Sequence, residues 1–116
     1  MGYLQIDPSP DSLNQSITMN LDIGKDSKRV ALELRYEEIT DRWYMTLTDV
    51  QTEECYFSMI PLLASYNNKM NNLWEPFAYK GIGILWCFPK NDNPSSENPS
   101  RNNINEFWII WGDGLE

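Results

Sequence analysis

Histidine is absent from the 116-residue sequence, and cysteine occurs only twice. Without histidine, the chain by itself forms neither a Ser-His-Asp or Cys-His catalytic site nor a zinc site with histidine ligands. The two cysteines, Cys55 and Cys87, lie in apolar, strand-like runs and not in a C-x-x-C pair. We therefore expect buried, reduced thiols, with a disulfide between adjacent strands as the alternative, and no secreted disulfide framework.

Positive charge is also scarce, since nine Lys and Arg residues stand against 17 Asp and Glu residues. The resulting formal charge of −8 works against binding to nucleic acid phosphates or to anionic membranes. No apolar run approaches membrane-spanning length, and residues 1–15 have neither the basic start nor the apolar centre of a signal peptide. The sequence thus predicts a soluble protein made in a reducing cytosol, with no nucleic acid and no membrane as its partner.

Apolar and aromatic residues are frequent enough for one folded domain. Hydrophobic residues make up 41% of the chain, including five Trp, six Tyr and four Phe, and this content excludes disorder of the whole chain. Apolar residues alternate with polar ones in residues 16–23, 30–37 and 42–50, the pattern of half-buried strands. The second and third runs predict an antiparallel hairpin, and residues 55–63 predict a further strand that ends near Pro61.

The last two predicted strands, residues 82–88 and 107–111, are apolar on both faces. Such strands must be covered on both sides, either by the chain's own loop, residues 73–79, or by another protein. Between the two strands, residues 91–105 are polar and rich in Pro, Ser and Asn. We expect this segment to be a mobile excursion unless a partner orders it.

These patterns predict an all-β fold, a single small antiparallel β-barrel or sandwich of about six strands with one long irregular aromatic loop. Residues 1–15 are assigned to an extended N-terminal arm, and residues 16–116 to a single β domain. The arm carries a small apolar patch made of Tyr3, Leu4 and Ile6. This patch either belongs to a floppy terminus or docks on another subunit.

Candidate sites for chemistry are weak. The paired carboxylates at residues 37–38 and 53–54 lie at hairpin turns, where acidic side chains are normally solvated. Residues 91–94 offer oxygen ligands but lack the spacing and the closing Glu of a calcium loop. We predict that the protein is not an enzyme, and that it binds no metal, cofactor or small-molecule substrate.

Three stretches resemble the small baseplate plug proteins of contractile-tailed bacteriophages and phage-tail-like particles. They are the hairpin of residues 35–44, the segments 60–62 and 72–83, and the run 105–113. The middle stretch is the most specific, because its aromatic, Pro and Gly residues occur in a set order, Asn72-Leu73-Trp74-Glu75-Pro76-Phe77-Ala78-Tyr79-Lys80-Gly81-Ile82-Gly83. The chain departs from the family pattern in having Ala64-Ser65-Tyr66 where the family has Gly and Pro, and in its longer N-terminal arm.

The resemblance implies a non-enzymatic virion protein of the tail baseplate, assembled in the host cytoplasm. Such a plug joins the central hub or tail tube to the spike and the surrounding wedge parts, with copies of itself in a ring as further partners. We expect the partner contacts in the aromatic loop and the last strand, at Leu73, Trp74, Pro76, Phe77, Tyr79, Gly81, Gly83, Trp108 and Trp111.

Two other functions stay open at this stage. One is a small inhibitor or immunity-type protein, which acidity and size alone suggest. The other is a carbohydrate-binding β-module of a phage or bacterial surface protein, in which exposed indole rings would stack on sugars. Its candidate platforms are Trp74, Trp86, Trp108 and Trp111.

Overall fold

A computed structural model describes residues 3–9, 11–23, 25–66, 71–91, 97–101 and 103–113. These residues form seven β-strands and two 3₁₀ helices, Glu75–Lys80 and Ile104–Glu106. None of the described helices is long and apolar enough to cross a membrane. The strands are β1 (Tyr3–Ile6), β2 (Asn14–Ile23), β3 (Asp26–Glu37), β4 (Arg42–Asp49), β5 (Cys55–Pro61), β6 (Ile84–Pro89) and β7 (Phe107–Gly112).

The strands form two sheets in which every pairing is antiparallel. The large sheet has the order β2-β3-β4-β5 and the small sheet the order β1-β7-β6. The predicted all-β, antiparallel fold is confirmed. Because the two sheets are separate and open, and share one core, the fold is a sandwich and not a closed barrel.

The hairpin of β3 and β4 forms the centre of the large sheet. Leu32 lies opposite Leu47 in its register, and both side chains are fully buried. Their neighbours Glu33 and Thr46 also lie opposite each other and point to the other face, because successive side chains in a strand alternate. The hairpin that the sequence predicted is confirmed.

One hydrophobic core lies between the sheets. Its largest fully buried side chains are Trp43 from β4, Trp74 from the aromatic loop and Trp111 from β7. The core therefore depends on both sheets and on the loop. Each buried aromatic ring contributes about 1.5–3 kcal/mol relative to an exposed one, so this small domain relies heavily on its tryptophans.

The N-terminus differs from the prediction of an extended arm. Residues Tyr3–Ile6 form β1, which pairs with β7 of the same chain and buries Ile6. The side chain of Gln15 holds the following segment in place, because its amide nitrogen donates to the carbonyl of Ser9 at 2.7 Å and to that of Ser12 at 3.0 Å. A four-residue strand shows too little alternation to be recognised, and its partner strand lies about a hundred residues away in the sequence.

The predicted polar excursion also differs where it is described, because its second half packs on the domain. The indole nitrogen of Trp43 donates to the carbonyl of Ser100 at 2.7 Å, and the backbone nitrogen of Ala64 donates to Oδ1 of Asn98 at 2.8 Å. Ile104 reaches the core. The expectation of a mobile segment is corrected for residues 97–101 and 103–105, which need no partner for these contacts, whereas residues 92–96 lie outside the described part.

The two cysteines are free thiols in different surroundings. Cys87 is buried, and burial raises the pKa of its thiol to about 12. Cys55, at the start of the edge strand β5, is exposed. The prediction of two buried thiols is therefore wrong for Cys55, since only one side of an edge strand is packed.

Candidate functional site

The small sheet has apolar side chains on both faces, as its sequence predicted. Leu85 of β6 and Ile109 of β7 point into the core, so their neighbours along each strand point outward. In the register, Trp86 lies opposite Ile110 and Phe88 opposite Trp108. We call this surface the outer face of the small sheet; its apolar side chains are Tyr3, Ile84, Trp86, Phe88, Trp108 and Ile110, and polar Gln5 lies opposite Ile110 on the same face.

A shallow hollow of about 420 Å³ lies in this outer face, lined by Tyr3, Trp86, Phe88 and Ile110. The rings of Tyr3 and Trp86 lie 6.0 Å apart between centroids, at an angle of 31°. The polar groups that these four side chains carry are the hydroxyl of Tyr3 and the indole N–H of Trp86. The hollow is therefore an aromatic, nearly apolar surface.

The positive charge of Lys90 borders the outer face. The ammonium group of Lys90 lies 4.6 Å from the centroid of the Trp108 ring, the distance of a cation–π contact, which contributes about 0.5–1 kcal/mol at an exposed site. This contact holds the Trp108 ring at one end of the face.

The outer face of the large sheet is polar by contrast. Its central hairpin presents Glu33 and Thr46, and its edge strand β2 presents Ser16, Thr18 and Asn20. Water satisfies such a face, whereas a contiguous aromatic face on a small protein marks an interaction surface. The outer face of the large sheet is therefore suited to contact with water, whereas the outer face of the small sheet is suited to contact with another apolar surface.

The aromatic loop does not cover the outer face of the small sheet. Trp74 instead inserts into the core, where it has no exposed surface and its ring lies 5.5 Å from that of Phe57 on β5. Phe77 packs against the same Phe57 ring at 5.0 Å. The sequence left two covers open for the apolar strands, the chain's own loop or another protein. The loop packs against the core and β5 instead, so it is not the cover of this face.

Hydrogen bonds fix this loop along the free edge of β6. Oδ1 of Asn72 accepts from the backbone nitrogens of Trp74 at 3.0 Å and Leu85 at 2.9 Å. The backbone nitrogen of Leu73 donates to the carbonyl of Leu85 at 2.9 Å, and that of Ser65 to the carbonyl of Cys87 at 2.7 Å. Asn72 thus positions the loop, a role that its place in an Asn-rich, turn-prone run did not reveal.

The two loop glycines have backbone angles that suit glycine. Gly81 has φ of 66° with open space around it, whereas Gly83 has φ of 84° and lies against β7. A Cβ atom on Gly83 would lie 2.6 Å from the indole nitrogen of Trp111 and would also meet the carbonyl of Gly112. Gly83 therefore allows a close approach of the loop to β7 within the chain, and its part in a partner contact stays a prediction.

The predicted contact residues divide into buried and accessible groups. Trp74 and Trp111 are buried, and the indole nitrogen of Trp111 donates to the carbonyl of Ile82 at 2.8 Å. These two rings support the surface from inside, so a partner on the folded chain does not touch them. Tyr79 is 81% exposed, Pro76 and Gly81 are exposed, and the other accessible members are half-buried. Their role in partner contact stays a prediction.

A second apolar surface lies beside the loop. Leu73, Pro76 and Phe77 line an open groove of about 440 Å³ together with Ile60, Pro61 and Leu63 from the end of β5 and the following turn. Glu75 and Asn72 also line this groove. Three of the predicted contact residues of the loop therefore line this groove next to apolar residues that were not among the predicted contacts.

The ionisable groups serve turns and edges. Asp49 accepts hydrogen bonds from the backbone nitrogens of Gln51 at 2.8 Å and Thr52 at 2.9 Å, and from the hydroxyl of Tyr56 at 2.9 Å. These bonds hold the pKa of Asp49 below its usual value, and the bond from the backbone nitrogen of Thr52 has the largest effect. Burial and the Asp49 contact raise the pKa of Tyr56 to about 12. In the described part of the chain no three Cys, Asp or Glu residues cluster in a way that could hold a metal ion.

Comparison with known protein families matches residues 1–113 to the family described as cyanophage baseplate Pam3 plug gp18. No curated protein matches the chain. The matched range contains each of the stretches from which the resemblance was predicted, and that resemblance is confirmed.

Proposed function

Because the chain belongs to the family of cyanophage baseplate plugs, a family of structural tail components of the virion, we propose that it joins the central hub or tail tube to the spike and the surrounding wedge parts. In this role it acts by being held between neighbouring proteins. The contacts supply the function, and no catalytic step or cofactor is needed. We further propose that it is incorporated during tail assembly in the host cytoplasm, with copies of itself arranged in a ring.

The outer face of the small sheet is the observation that carries this proposal. Its aromatic side chains are exposed (Tyr3) or half-buried (Trp86, Phe88 and Trp108) on a sheet whose other face already forms the core. Completing the burial of one such side chain contributes about 1 kcal/mol, half of the value for a fully exposed one. Six side chains together therefore offer several kcal/mol to a partner with an apolar surface, before the entropic cost of association.

The groove beside the aromatic loop supports a second contact. Tyr79 and Pro76 project from the loop, while the hydrogen bonds of Asn72 fix the backbone that carries them. Rigid aromatic residues lose little conformational entropy on binding. We propose that the accessible residues of the loop contact a different neighbour from the one on the outer face, since the two surfaces are lined by different residues.

Incorporation into tail particles tests the proposal. We would replace Trp86 and Phe88 together by Thr, which suits a strand and leaves the core untouched. Tyr44→Thr is the matched control, because Tyr44 is a half-buried aromatic residue on the polar outer face of the large sheet. Quantitative mass spectrometry of purified, DNA-free tails should show the double variant strongly depleted and the control retained.

Equal incorporation of both folded variants would refute a role of the outer face in the baseplate. Finding the wild-type protein absent from intact tails would refute the structural function as a whole. Either result can be read only for protein that folds, so circular dichroism of each purified variant accompanies the measurement.

The geometry favours a protein partner over a sugar on the outer face. Sugar recognition requires polar groups beside the stacking ring, because each buried hydroxyl must find a hydrogen-bond partner. The hollow offers few such groups, and two of the four candidate platforms, Trp74 and Trp111, are buried. Titration with soluble glycans, followed by tryptophan fluorescence, distinguishes the two functions.

A further inference from the structure

Each open sheet ends in edge strands, and three of the four edges are protected. The β6 edge is covered by the loop bonds described above, and β1 is only four residues long. The β5 edge is irregular, with shifts in its pairing to β4, a positive φ of 55° at Met59 and a proline, Pro61, at its end. Short length, coverage, bulges and proline are the usual ways of preventing edge-to-edge pairing.

Among the residues that the structure describes, the fourth edge, β2, has none of these protections. It is ten residues long and pairs with β3 in unbroken register from Asn14 to Ile23. It contains no Pro, Gly or Lys, and Asp22 is its single charged residue. A long, regular and nearly uncharged edge is a template for another strand.

The backbone N–H and C=O groups of successive residues in β2 point alternately towards β3 and away from it. The carbonyl of Leu13, just before the strand, accepts from the backbone nitrogen of Tyr36 on β3, and the carbonyl of Asn14 accepts from the hydroxyl of Ser12 on the opposite side, at 3.1 Å. Because antiparallel strands alternate in this way, the N–H and C=O groups of the even-numbered residues from Ser16 to Asp22 point away from β3. In the described part of the chain no backbone group pairs with them.

The hydrophobic core is also incomplete at this edge. The odd-numbered residues of β2 point inward, and Leu21 is fully buried. Ile17, Met19 and Ile23 pack against the core but stay half-exposed, since no described strand lies on the side of β2 that faces away from β3. An added strand would cover this apolar row and pair the free backbone groups at the same time.

We propose that a second copy of this chain fills this edge, with the two β2 strands antiparallel about a two-fold axis at Met19. In this register Met19 faces Met19 and Ile17 faces Leu21, so apolar residues meet on the inner face. The outward-pointing backbone groups meet as hydrogen-bonded pairs, Ser16 with Asp22 and Thr18 with Asn20. The chosen register places polar Gln15 opposite Ile23 only at the end of the pairing, whereas the alternative axis at Thr18 would place Gln15 opposite Leu21, which is fully buried.

The charges of the two strands are compatible with this pairing. Asp22 lies opposite the neutral Ser16 of the other copy, so no like charges meet across the ladder. Two chains that each carry a formal charge of −8 nevertheless repel at long range. Salt screens that repulsion, so the dimer should become tighter as the salt concentration rises.

This dimer is independent of the proposed function, because it uses the edge of the large sheet and not the outer face of the small sheet or the loop. A two-fold contact closes on two copies, so the proposed ring would use other surfaces. A monomer in solution would overturn the edge pairing, while the incorporation experiment above would still test the baseplate role.

Sedimentation equilibrium of the purified full chain measures the dimer. Thr18→Pro should block it, because the N–H of Thr18 points outward and its loss removes no bond to β3. Thr18→Val, which keeps the N–H, is the matched control. We expect Thr18→Pro to raise the dimer Kd by about tenfold or more, and Thr18→Val to leave it within about twofold.

Cysteine cross-linking tests the register, and does so even if Thr18→Pro fails to fold. In a background in which exposed Cys55 is replaced by Ser, Met19→Cys should form a disulfide between copies under mild oxidation, because facing residues of a non-hydrogen-bonded pair bring their Cβ atoms within reach. Ile17→Cys, which would face Leu21, is the control and should cross-link far less. A monomer at every soluble concentration, a dimer that Thr18→Pro leaves intact, or equal cross-linking at both positions would each overturn the proposal.

Discussion

Replacing Trp74 or Trp111 by Phe should lower the free energy of unfolding by different amounts, because the indole N–H groups of the two residues differ in their hydrogen bonding. The N–H of Trp111 donates to the carbonyl of Ile82, and both residues are buried. The N–H of Trp74 is buried without a hydrogen-bond partner among the described residues. Phenylalanine fills part of each ring site and removes the N–H, so it separates the hydrogen bond from most of the packing.

The magnitudes follow from these contacts. Replacing a fully buried indole by a phenyl ring leaves a small cavity, which we expect to cost about 1–2 kcal/mol at either site, less than the 3–5 kcal/mol of truncation to Ala. Trp111→Phe also leaves the Ile82 carbonyl unpaired, which adds about 1–3 kcal/mol. Trp74→Phe breaks no such bond and removes an unpaired buried donor, which offsets part of the cavity cost. We expect Trp111→Phe to be the more destabilising by about 2 kcal/mol.

Urea unfolding followed by far-UV circular dichroism measures both free energies of unfolding, and it avoids the fluorescence that the substitutions change. Equal slopes with urea would show that the variants unfold to similar states. Trp43→Phe is an internal standard. The indole of Trp43 donates to the carbonyl of Ser100, a half-buried residue, so water can replace part of the lost bond and the added cost in free energy of unfolding should be smaller than for Trp111→Phe. Equal costs at Trp74 and Trp111, or a larger cost at Trp74, would refute the reasoning.

Further substitutions test the loop and the turn. Gly83→Ala should destabilise by more than about 3 kcal/mol in urea unfolding, because it adds a clash to a positive φ, whereas Gly81→Ala, in open space, should cost only about 1 kcal/mol; equal effects would contradict this. The pKa of Asp49 is lowered on folding, so its contribution is present above the usual pKa of 3.8 and is lost as pH falls below it; Asp49→Asn should flatten the acid side of a melting-temperature profile. The raised pKa of Tyr56 stabilises the fold below pH 10.0 and this contribution is lost between there and about 12, so Tyr56→Phe should flatten the alkaline side, and unchanged profiles would contradict both assignments. Tyr79→Ala should change stability by less than about 0.5 kcal/mol yet lower incorporation into tails, and normal incorporation would remove Tyr79 from the contact surface.

The strands were predictable where apolar and polar residues alternate along the chain. They were unpredictable where a strand forms only because a distant part of the chain pairs with it. In β3 and β4 the large apolar residues at alternate positions, such as Leu32 and Leu47, lie on the core side, and local pattern was enough. For Tyr3–Ile6 the strand exists because β7 offers an edge, and no local signal in four residues encodes that pairing. Asn72 likewise looked like one of several turn residues, and its role depends on the position of Leu85 in another strand.

The aromatic loop shows why partner contacts are hard to separate from core contacts in one sequence. Both kinds of contact require large, rigid, apolar side chains. Composition therefore identified the loop but did not show which of its residues belong to the core and which are accessible to a partner. Backbone constraints divide it. The bonds of Asn72 and the close approach of Gly83 to β7 direct Trp74 inward and leave Tyr79 outside. The strands that are apolar on both faces gave a firmer prediction, because one sheet has two faces and its own domain fills only one of them. The outer face of the small sheet is therefore the surface at which the fold itself, independently of the family, predicts a neighbour.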